Sequence, residues 1–267
     1  MKAHEIDYKI YGEEMQFVEI ELDPSEGVVA EAGSFMMMDD QIKMDTIFGD
    51  GSGQSKDILG SLFSAGKRLL TGESLFMTVF TNVSGMKRKI SFASPYPGKI
   101  IPVDLNDFEG EFICQKDAFL CAAQGVSISI EFSKKIGRGL FGGEGFIMEK
   151  IQGDGKAFLH SSGTVVRKEL QTGEVLKVDT GCIVGFSRTI HYDIEFIGGI
   201  RNTLFGGEGM FFATLTGPGT VAIQSLPFSR LADRILAHAP SQGGKRKGEG
   251  SILGGLGDLL DGDSRFQ

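Results

Sequence analysis

The feature that most constrains this chain is a glycine-rich turn that occurs more than once. Leu140-Phe141-Gly142-Gly143-Glu144-Gly145-Phe146 returns as Leu204-Phe205-Gly206-Gly207-Glu208-Gly209-Met210. A looser copy, Leu69-Leu70-Thr71-Gly72-Glu73-Ser74-Leu75, precedes both. The flanks repeat as well. Ile130-Glu131-Phe132 leads into one turn and Ile194-Glu195-Phe196 into the next, at the same spacing of 13 positions between the glutamates. Gly155-Lys156-Ala157-Phe158-Leu159 and Gly219-Thr220-Val221-Ala222-Ile223 follow, each 11 positions after its turn glutamate. The first unit fits more loosely. Its strand, Ile42-Lys43-Met44, lies 30 positions before Glu73, which leaves about 17 inserted residues. Three related units predict a pseudo-threefold β-structure, because a half-buried unit needs neighbours to close its core.

Period-two patterning supports strands. Val18, Ile20 and Leu22 alternate with Glu19 and Glu21; Val126, Ile128, Ile130 and Phe132 alternate with Ser127, Ser129 and Glu131. Ile190, Tyr192, Ile194 and Phe196 alternate with His191, Asp193 and Glu195. Leu75 to Phe80 is apolar on both faces, as a central strand would be. Gly153-Asp154-Gly155 and Gly217-Pro218-Gly219 read as hairpin turns, since glycine reaches positive φ without steric cost. The 39 glycines are spread as turn punctuation and not in threes, which excludes collagen.

Two stretches break the β pattern. Gly49 to Ser55 has a flexible composition and leads into Asp57 to Leu70. There Ile58, Leu59, Leu62, Phe63, Leu69 and Leu70 have helical spacing, predicting an amphipathic helix over 57–70 that lids one end of the core. A second helix is predicted near 226–239. Phe228, Leu231, Ala232, Ile235, Leu236 and Ala239 form its apolar stripe, Ser225 is a cap, and Pro240 a stop. Residues 1–239 then form one β domain. Residues 240–267, with Lys245-Arg246-Lys247 and eight glycines, read as a disordered tail. Within it Ile252, Leu253, Leu256, Leu259 and Leu260 keep helical spacing, so 252–260, like 57–70, is a segment through which a membrane surface or a protein partner would be met.

The formal charge of −8 and pI near 5.1 oppose nucleic-acid binding, which rests on Lys and Arg. Cys114, Cys121 and Cys182 form no CxxC pair and sit in apolar runs, the pattern of buried thiols in a reducing compartment. The N-terminus carries neither a signal-peptide core nor an Arg-rich transit pattern, so the expected location is the cytoplasm. Asn82-Val83-Ser84 is a glycosylation sequon without meaning there.

The chemical motifs are weak. Gly137-Arg138-Gly139-Leu140-Phe141-Gly142 matches a dinucleotide fingerprint, but the residues after it read as strand where a helix is required. Gly60 to Arg68 has five residues where a phosphate loop has four, and Arg68 stands where that loop needs Ser or Thr. His4, His160, His191 and His238 are scattered, with no metal spacing and no nucleophile elbow. Glu73, Glu144 and Glu208 are the one set tied together by the repeat. Around a threefold axis they either converge, as a cation site or as acids of raised pKa, or accept hydrogen bonds from their own glycine turns.

At the Gly27-Val28-Val29-Ala30-Glu31-Ala32-Gly33-Ser34-Phe35 segment, the Lys67-Arg68-Leu69-Leu70-Thr71-Gly72-Glu73-Ser74 joint and the later Gly-Gly-Glu turns, the chain resembles the altered inheritance of mitochondria 24 family and its bacterial relatives. The resemblance spans about Met1 to His238. It implies a double-stranded β-helix or β-prism-like core similar to that of the tryptophan RNA-binding attenuation protein, and a homo-oligomer, with a trimer favoured. It carries over no catalytic residue and no cofactor. The expectation is therefore a non-enzymatic, self-assembling β-scaffold or binding protein, with a membrane-associated role through its amphipathic segments. The alternative is a cupin-like small-ligand binder or enzyme with a pocket inside the β core. If the three glutamates hold a cation, adding Ca²⁺, Mg²⁺ or Mn²⁺ raises the melting temperature of the purified protein; an unchanged melting curve with all three excludes that site.

Overall fold

The second strand shows how the sequence pattern becomes structure. In β2 (Phe17–Leu22) Val18, Ile20 and Leu22 are fully buried, while Glu19 and Glu21 face outward. Across the pair to β7 (Arg88–Ala93), Lys89 Nζ reaches Glu19 at 2.8 Å and Lys87 Nζ, just before the strand, reaches Glu21 at 2.7 Å. The two lysines are half-exposed and the glutamates partly buried, so solvent screens each pair from the lysine side, and the buried aliphatic face supplies most of the stability.

The structure, a computed structural model, describes residues 2–31, 33–48, 76–134, 146–197 and 210–238. The fold is all-β, with one α-helix among these residues. The other strands are β1 (Asp7–Tyr11), β3 (Gly27–Glu31), β4 (Phe35–Met38), β5 (Ile42–Phe48), β6 (Phe76–Asn82), β8 (Gly98–Asp104), β9 (Glu111–Gln115) and β10 (Phe119–Ala123). They continue as β11 (Ser127–Lys134), β12 (Phe146–Gln152), β13 (Lys156–Ser162), β14 (Val165–Leu170), β15 (Val175–Asp179), β16 (Ile183–Ser187), β17 (His191–Ile197), β18 (Met210–Thr216) and β19 (Gly219–Gln224). The helix is α1 (Phe228–His238). The strands and α1 as far as Arg230 cluster as one compact unit, and the chain from Leu231 as a second.

All strand pairs are antiparallel, and the pairing has an order. From β2 to β7, the first strand pairs with the sixth, the second with the fifth, the third with the sixth, and the fourth with the fifth. The six strands β8 to β13 pair in the same way. So do β14 to β19. Two further pairs join successive sixes: β10 with β3, and β16 with β9. The sheets are therefore β1-β2-β7-β4, β5-β6-β3-β10-β13-β8, β11-β12-β9-β16-β19-β14 and β15-β18-β17. The third strand of every six carries a bulge near its start, between Phe35 and Met37, Phe119 and Cys121, and Ile183 and Gly185.

The core follows the sheets. One cluster gathers Val18, Ile20, Val29, Phe80, Phe92, Leu105, Phe119 and Phe158; a second gathers Ile113, Phe146, Met148, Phe186, Leu215 and Val221. Each fully buried large side chain stabilises the fold by roughly 1.5–3 kcal/mol through area removed from water. β6, predicted as a central strand, lies between β5 and β3.

Two local expectations differ from the structure. Gly153 to Gly155 and Gly217 to Gly219 do not close hairpins. β12 and β13 belong to different sheets, as do β18 and β19, so each turn passes the chain from one sheet to the next. Gly153 and Gly219 do have φ of 146° and 147°, the conformations glycine was expected to supply. The turn chemistry is the same for a hairpin and a corner; distant partners decide between them. Ser225 does not cap α1. Its hydroxyl accepts from the Thr164 N–H at 2.9 Å and so ties the end of β19 to the start of β14.

The sequon is structural. Asn82 is fully buried, and its amide donates to the carbonyls of Leu22, Asp23 and Met86 at 2.9, 3.1 and 2.8 Å. Its Oδ1 accepts from the Ser84 N–H and hydroxyl at 3.0 and 2.7 Å. One side chain thus joins the β2–β3 turn to the β6–β7 turn. Replacing Asn82 by Ala strands several buried backbone carbonyls and is expected to cost roughly 2–4 kcal/mol in urea denaturation. Val83→Ala, at an exposed neighbour, should shift stability by less than about 0.5 kcal/mol.

Candidate functional site

The glutamates singled out by the repeat lie outside the described residues. Glu73 falls in the chain between β5 and β6, Glu144 between β11 and β12, and Glu208 between β17 and β18. In each case the flanking strands are paired with one another. The predicted helix at 57–70 and the 252–260 segment are likewise outside the described residues. The four histidines are apart from one another in use. His4 Nδ1 accepts from the Gly27 N–H at 2.9 Å, His160 is buried in β13, His191 is exposed at the start of β17, and His238 ends α1. Among the described residues no group of three His, Cys, Asp or Glu side chains is placed to hold a metal. Cys114 and Cys121 are buried as expected, whereas Cys182 is half-buried, with its Sγ 3.9 Å from Arg230.

A further buried titratable group is Glu149, which in the sequence is one residue of the Phe146–Gln152 strand. Glu149 is 1% exposed on β12, opposite Cys114 of β9 and Ile130 of β11. Its Oε2 has no hydrogen-bond partner. Burial pushes its carboxyl up to about 8; the charges of Glu31 and Asp117 add to this and Lys116 opposes it. Burial also raises the Cys114 thiol, with Glu149 and Glu31 contributing. A buried thiol held protonated in this way is a poor nucleophile. One signal in the sequence marks the position: in the register of the repeat Glu149 aligns with Ala213, so a carboxylate stands where the copy has a methyl group.

A polar cluster continues along the same junction, where the turn Lys116–Ala118 joins β9 to β10. The Tyr96 hydroxyl donates to the Asp117 carbonyl at 3.3 Å, and burial together with the charges of Asp117 and Glu31 holds its phenol well above the usual range. Its ring meets His160 edge-on at 4.9 Å and stacks on Phe228 at 5.0 Å. The Ser94 hydroxyl donates to the Tyr96 carbonyl at 2.7 Å and lies 3.5 Å from His160 Nδ1. Burial lowers the His160 imidazole to about 4. At neutral pH this region therefore holds a protonated acid and an uncharged imidazole.

Phe132, Tyr192, Asp193 and Ile194 line an open groove of about 240 Å³. β4 presents Phe35, Met36, Met37 and Met38 in succession, each 40–47% exposed, on a strand with a partner on one side only. Such a run of exposed large apolar side chains is characteristic of an interaction surface, and methionine adapts readily to a partner.

Residues 8–226 match the family model described as Mitochondrial biogenesis AIM24. An uncharacterised protein of Streptococcus pyogenes serotype M6 is 30% identical over 232 residues, which cover 85% of this chain and 89% of that protein. An X-ray crystal structure of a Streptococcus pyogenes protein superposes with a TM-score of 0.66 at 23% identity, covering 88% of this chain and 100% of that one. At that identity the likeness concerns the fold.

The two shifted groups give stability a defined pH dependence. Glu149 binds its proton more tightly folded than unfolded. Its contribution is complete below its ordinary value of 4.5 and is lost as pH rises to about 8. His160 is the reverse: its contribution is complete above 6.5 and is lost as pH falls to about 4. From pH 4.5 to 6.5 the two slopes oppose; above 6.5 Glu149 acts alone. Stability in urea is expected to fall between pH 6.5 and 8, by at most about 1.4 kcal/mol per unit. Glu149→Gln, which keeps the shape of the protonated acid, should flatten that fall; an unchanged profile removes Glu149 as its cause.

Proposed function

We propose that this chain, which belongs to the Mitochondrial biogenesis AIM24 family, is a non-enzymatic, self-assembling β-scaffold or binding protein. The observation that carries this reading is the exposed apolar strand β4 at one end of its four-stranded sheet, beyond β7. An uncovered apolar edge is an aggregation hazard unless a partner covers it. The polar groups buried inside the β body support the same reading. Asn82 joins two turns, and Gln224 bridges the Ser162 N–H and the Gly181 carbonyl at 2.9 and 3.0 Å. These are structural uses.

Three six-strand units form a double-stranded β-helix or prism-like core over residues 1–239. Its support is the pairing order common to β2–β7, β8–β13 and β14–β19, and the regular offset of later strands: β9 and β15, β10 and β16, and β12 and β18 begin 64 positions apart. The assembly is a homo-oligomer, with a trimer favoured, in the cytoplasm. It meets a membrane surface or a protein partner through 57–70 or 252–260. No helix among the described residues is long and apolar enough to cross a membrane.

The second reading, a small-ligand binder, draws on the groove at Phe132, Tyr192, Asp193 and Ile194 and on the buried Glu149 Oε2, which has no hydrogen-bond partner. Light scattering on the purified full chain at micromolar concentration is expected to give a discrete mass above the 28.8 kDa of one copy; a monomer sinks the scaffold reading. In flotation with anionic vesicles the full chain should rise and a chain ending at Pro240 should rise less. If neither rises, the membrane role is gone.

A further inference from the structure

The two junctions between successive sixes are the same junction used twice. Cys121 lies opposite Ala30, Ala122 opposite Val29 and Ala123 opposite Val28 where β10 meets β3. Gly185 lies opposite Cys114, Phe186 opposite Ile113 and Ser187 opposite Phe112 where β16 meets β9. Each time the third strand of one six pairs with the second strand of the six before it. Each time the pairing begins two residues beyond the bulge, whose first residue is Phe119 or Ile183.

A rule used twice among three units leaves one half-junction at each end. The third strand of the first six is β4, with the equivalent bulge at Phe35. The second strand of the last six is β15. Both stand at the ends of their sheets, β4 beyond β7 and β15 beyond β18, and no pairing between them is formed. The other end strands, β5, β8, β11, β14 and β17, are the fourth or first strands of their sixes, which are end strands in every unit, apart from β2, which β1 covers. β4 and β15 are thus the two edges whose counterparts are paired elsewhere in the same chain. β4 is apolar and open, whereas β15 carries the exposed Val175 and Lys177 beside the buried Val178. Met36, Met37 and Met38 are 47%, 46% and 40% exposed, and Val175 is 55% exposed.

We infer that β4 of one copy pairs antiparallel with β15 of a second copy, completing a six-stranded sheet in the order β17-β18-β15-β4-β7-β2 with β1 beyond it. The inference rests on the self-assembly reading above and specifies its interface. The register follows from the two internal junctions. Val178 occupies the place of Ala30 and Cys114, and Met37 the place of Cys121 and Gly185. Met37 therefore faces Val178, Met38 faces Lys177, and Asp39 faces Leu176. The contact is heterologous, each copy offering β4 to one neighbour and β15 to another, so the assembly grows head to tail and closes as a ring when the rotation permits. Main-chain hydrogen bonds along the new pair give the affinity, and the bulge at Phe35 sets the register.

Disulfide trapping tests the register. Adjacent antiparallel pairs alternate between the hydrogen-bonded and the closer, non-bonded kind, so one of two neighbouring pairs suits a disulfide. Two full-length double variants, Met37→Cys with Val178→Cys and Met38→Cys with Lys177→Cys, are made with Cys182→Ser to remove the half-buried thiol. On mild oxidation at least one is expected to give covalent species larger than one chain on a non-reducing gel. Phe35→Cys with Lys177→Cys, three positions out of register, should give none. Met38→Lys, which sets a lysine against Lys177, should lower the mass seen by light scattering, and adding Lys177→Glu should restore it. If the protein is oligomeric by light scattering but neither pair links copies, or the link forms within one chain, this interface is wrong while the scaffold reading stands. If the unmodified chain is monomeric, both fall.

Discussion

Pairing between non-consecutive strands is the constraint on which the rest of this structure depends. No six strands complete a six-stranded sheet alone. The sheet β5-β6-β3-β10-β13-β8 takes three strands from β2–β7 and three from β8–β13, and the sheet β11-β12-β9-β16-β19-β14 does the same with the next two sixes. The larger core cluster accordingly mixes Val28, Val29 and Phe80 from the first six with Phe119, Leu120 and Phe158 from the second. Hydrogen-bond satisfaction and burial are achieved together: a strand end left without its neighbour exposes both backbone groups and an apolar face. β4 has a neighbour on one side only, and there Met36, Met37 and Met38 are 40–47% exposed.

The same junctions collect the buried polar groups. Glu149 sits opposite Cys114 on the strand that continues into the Lys116–Ala118 turn, and Tyr96, Asp117 and His160 meet nearby. In the following unit the equivalent turn, Thr180–Cys182, has Asp179 accepting from the Gly181 N–H at 2.9 Å and paired with Arg230 at 3.0 Å. One backbone corner is thus lined differently in its two copies. A buried carboxylic acid held protonated occupies one, and an ion pair near the surface occupies the other. The fold tolerates this because the corner is held by main-chain pairing; the side chains at it are then available to diverge.

Much of the architecture was legible in the residues. Alternation at Val18-Glu19-Ile20-Glu21-Leu22 marks a half-buried strand, since every second side chain turns to the core. The common spacing of Ile130-Glu131-Phe132 and Ile194-Glu195-Phe196 marks β11 and β17 as counterparts. The apolar stripe from Phe228 marks α1 to within a residue or two. What escaped was whatever depends on a distant partner. Gly153 and Gly219 have the backbone expected of them, yet the strands they separate belong to different sheets. Asn82 looked like a sequon because its carbonyl acceptors lie 60 residues away at Leu22 and nearby at Asp23. Glu149 looked like an ordinary strand residue because burial is set by β9 and β11 on either side of it.

Residue order alone therefore determined the all-β element type and the apolar faces, since these follow from periodicities of a few residues and from the steric freedom of glycine. Only the tertiary structure decided which strands are neighbours, which carboxylate is out of water, and that β4 and β15 are sheet ends although their counterparts in the other sixes are not. Strand partners are chosen by burial summed over whole faces, a quantity that no short window of sequence contains.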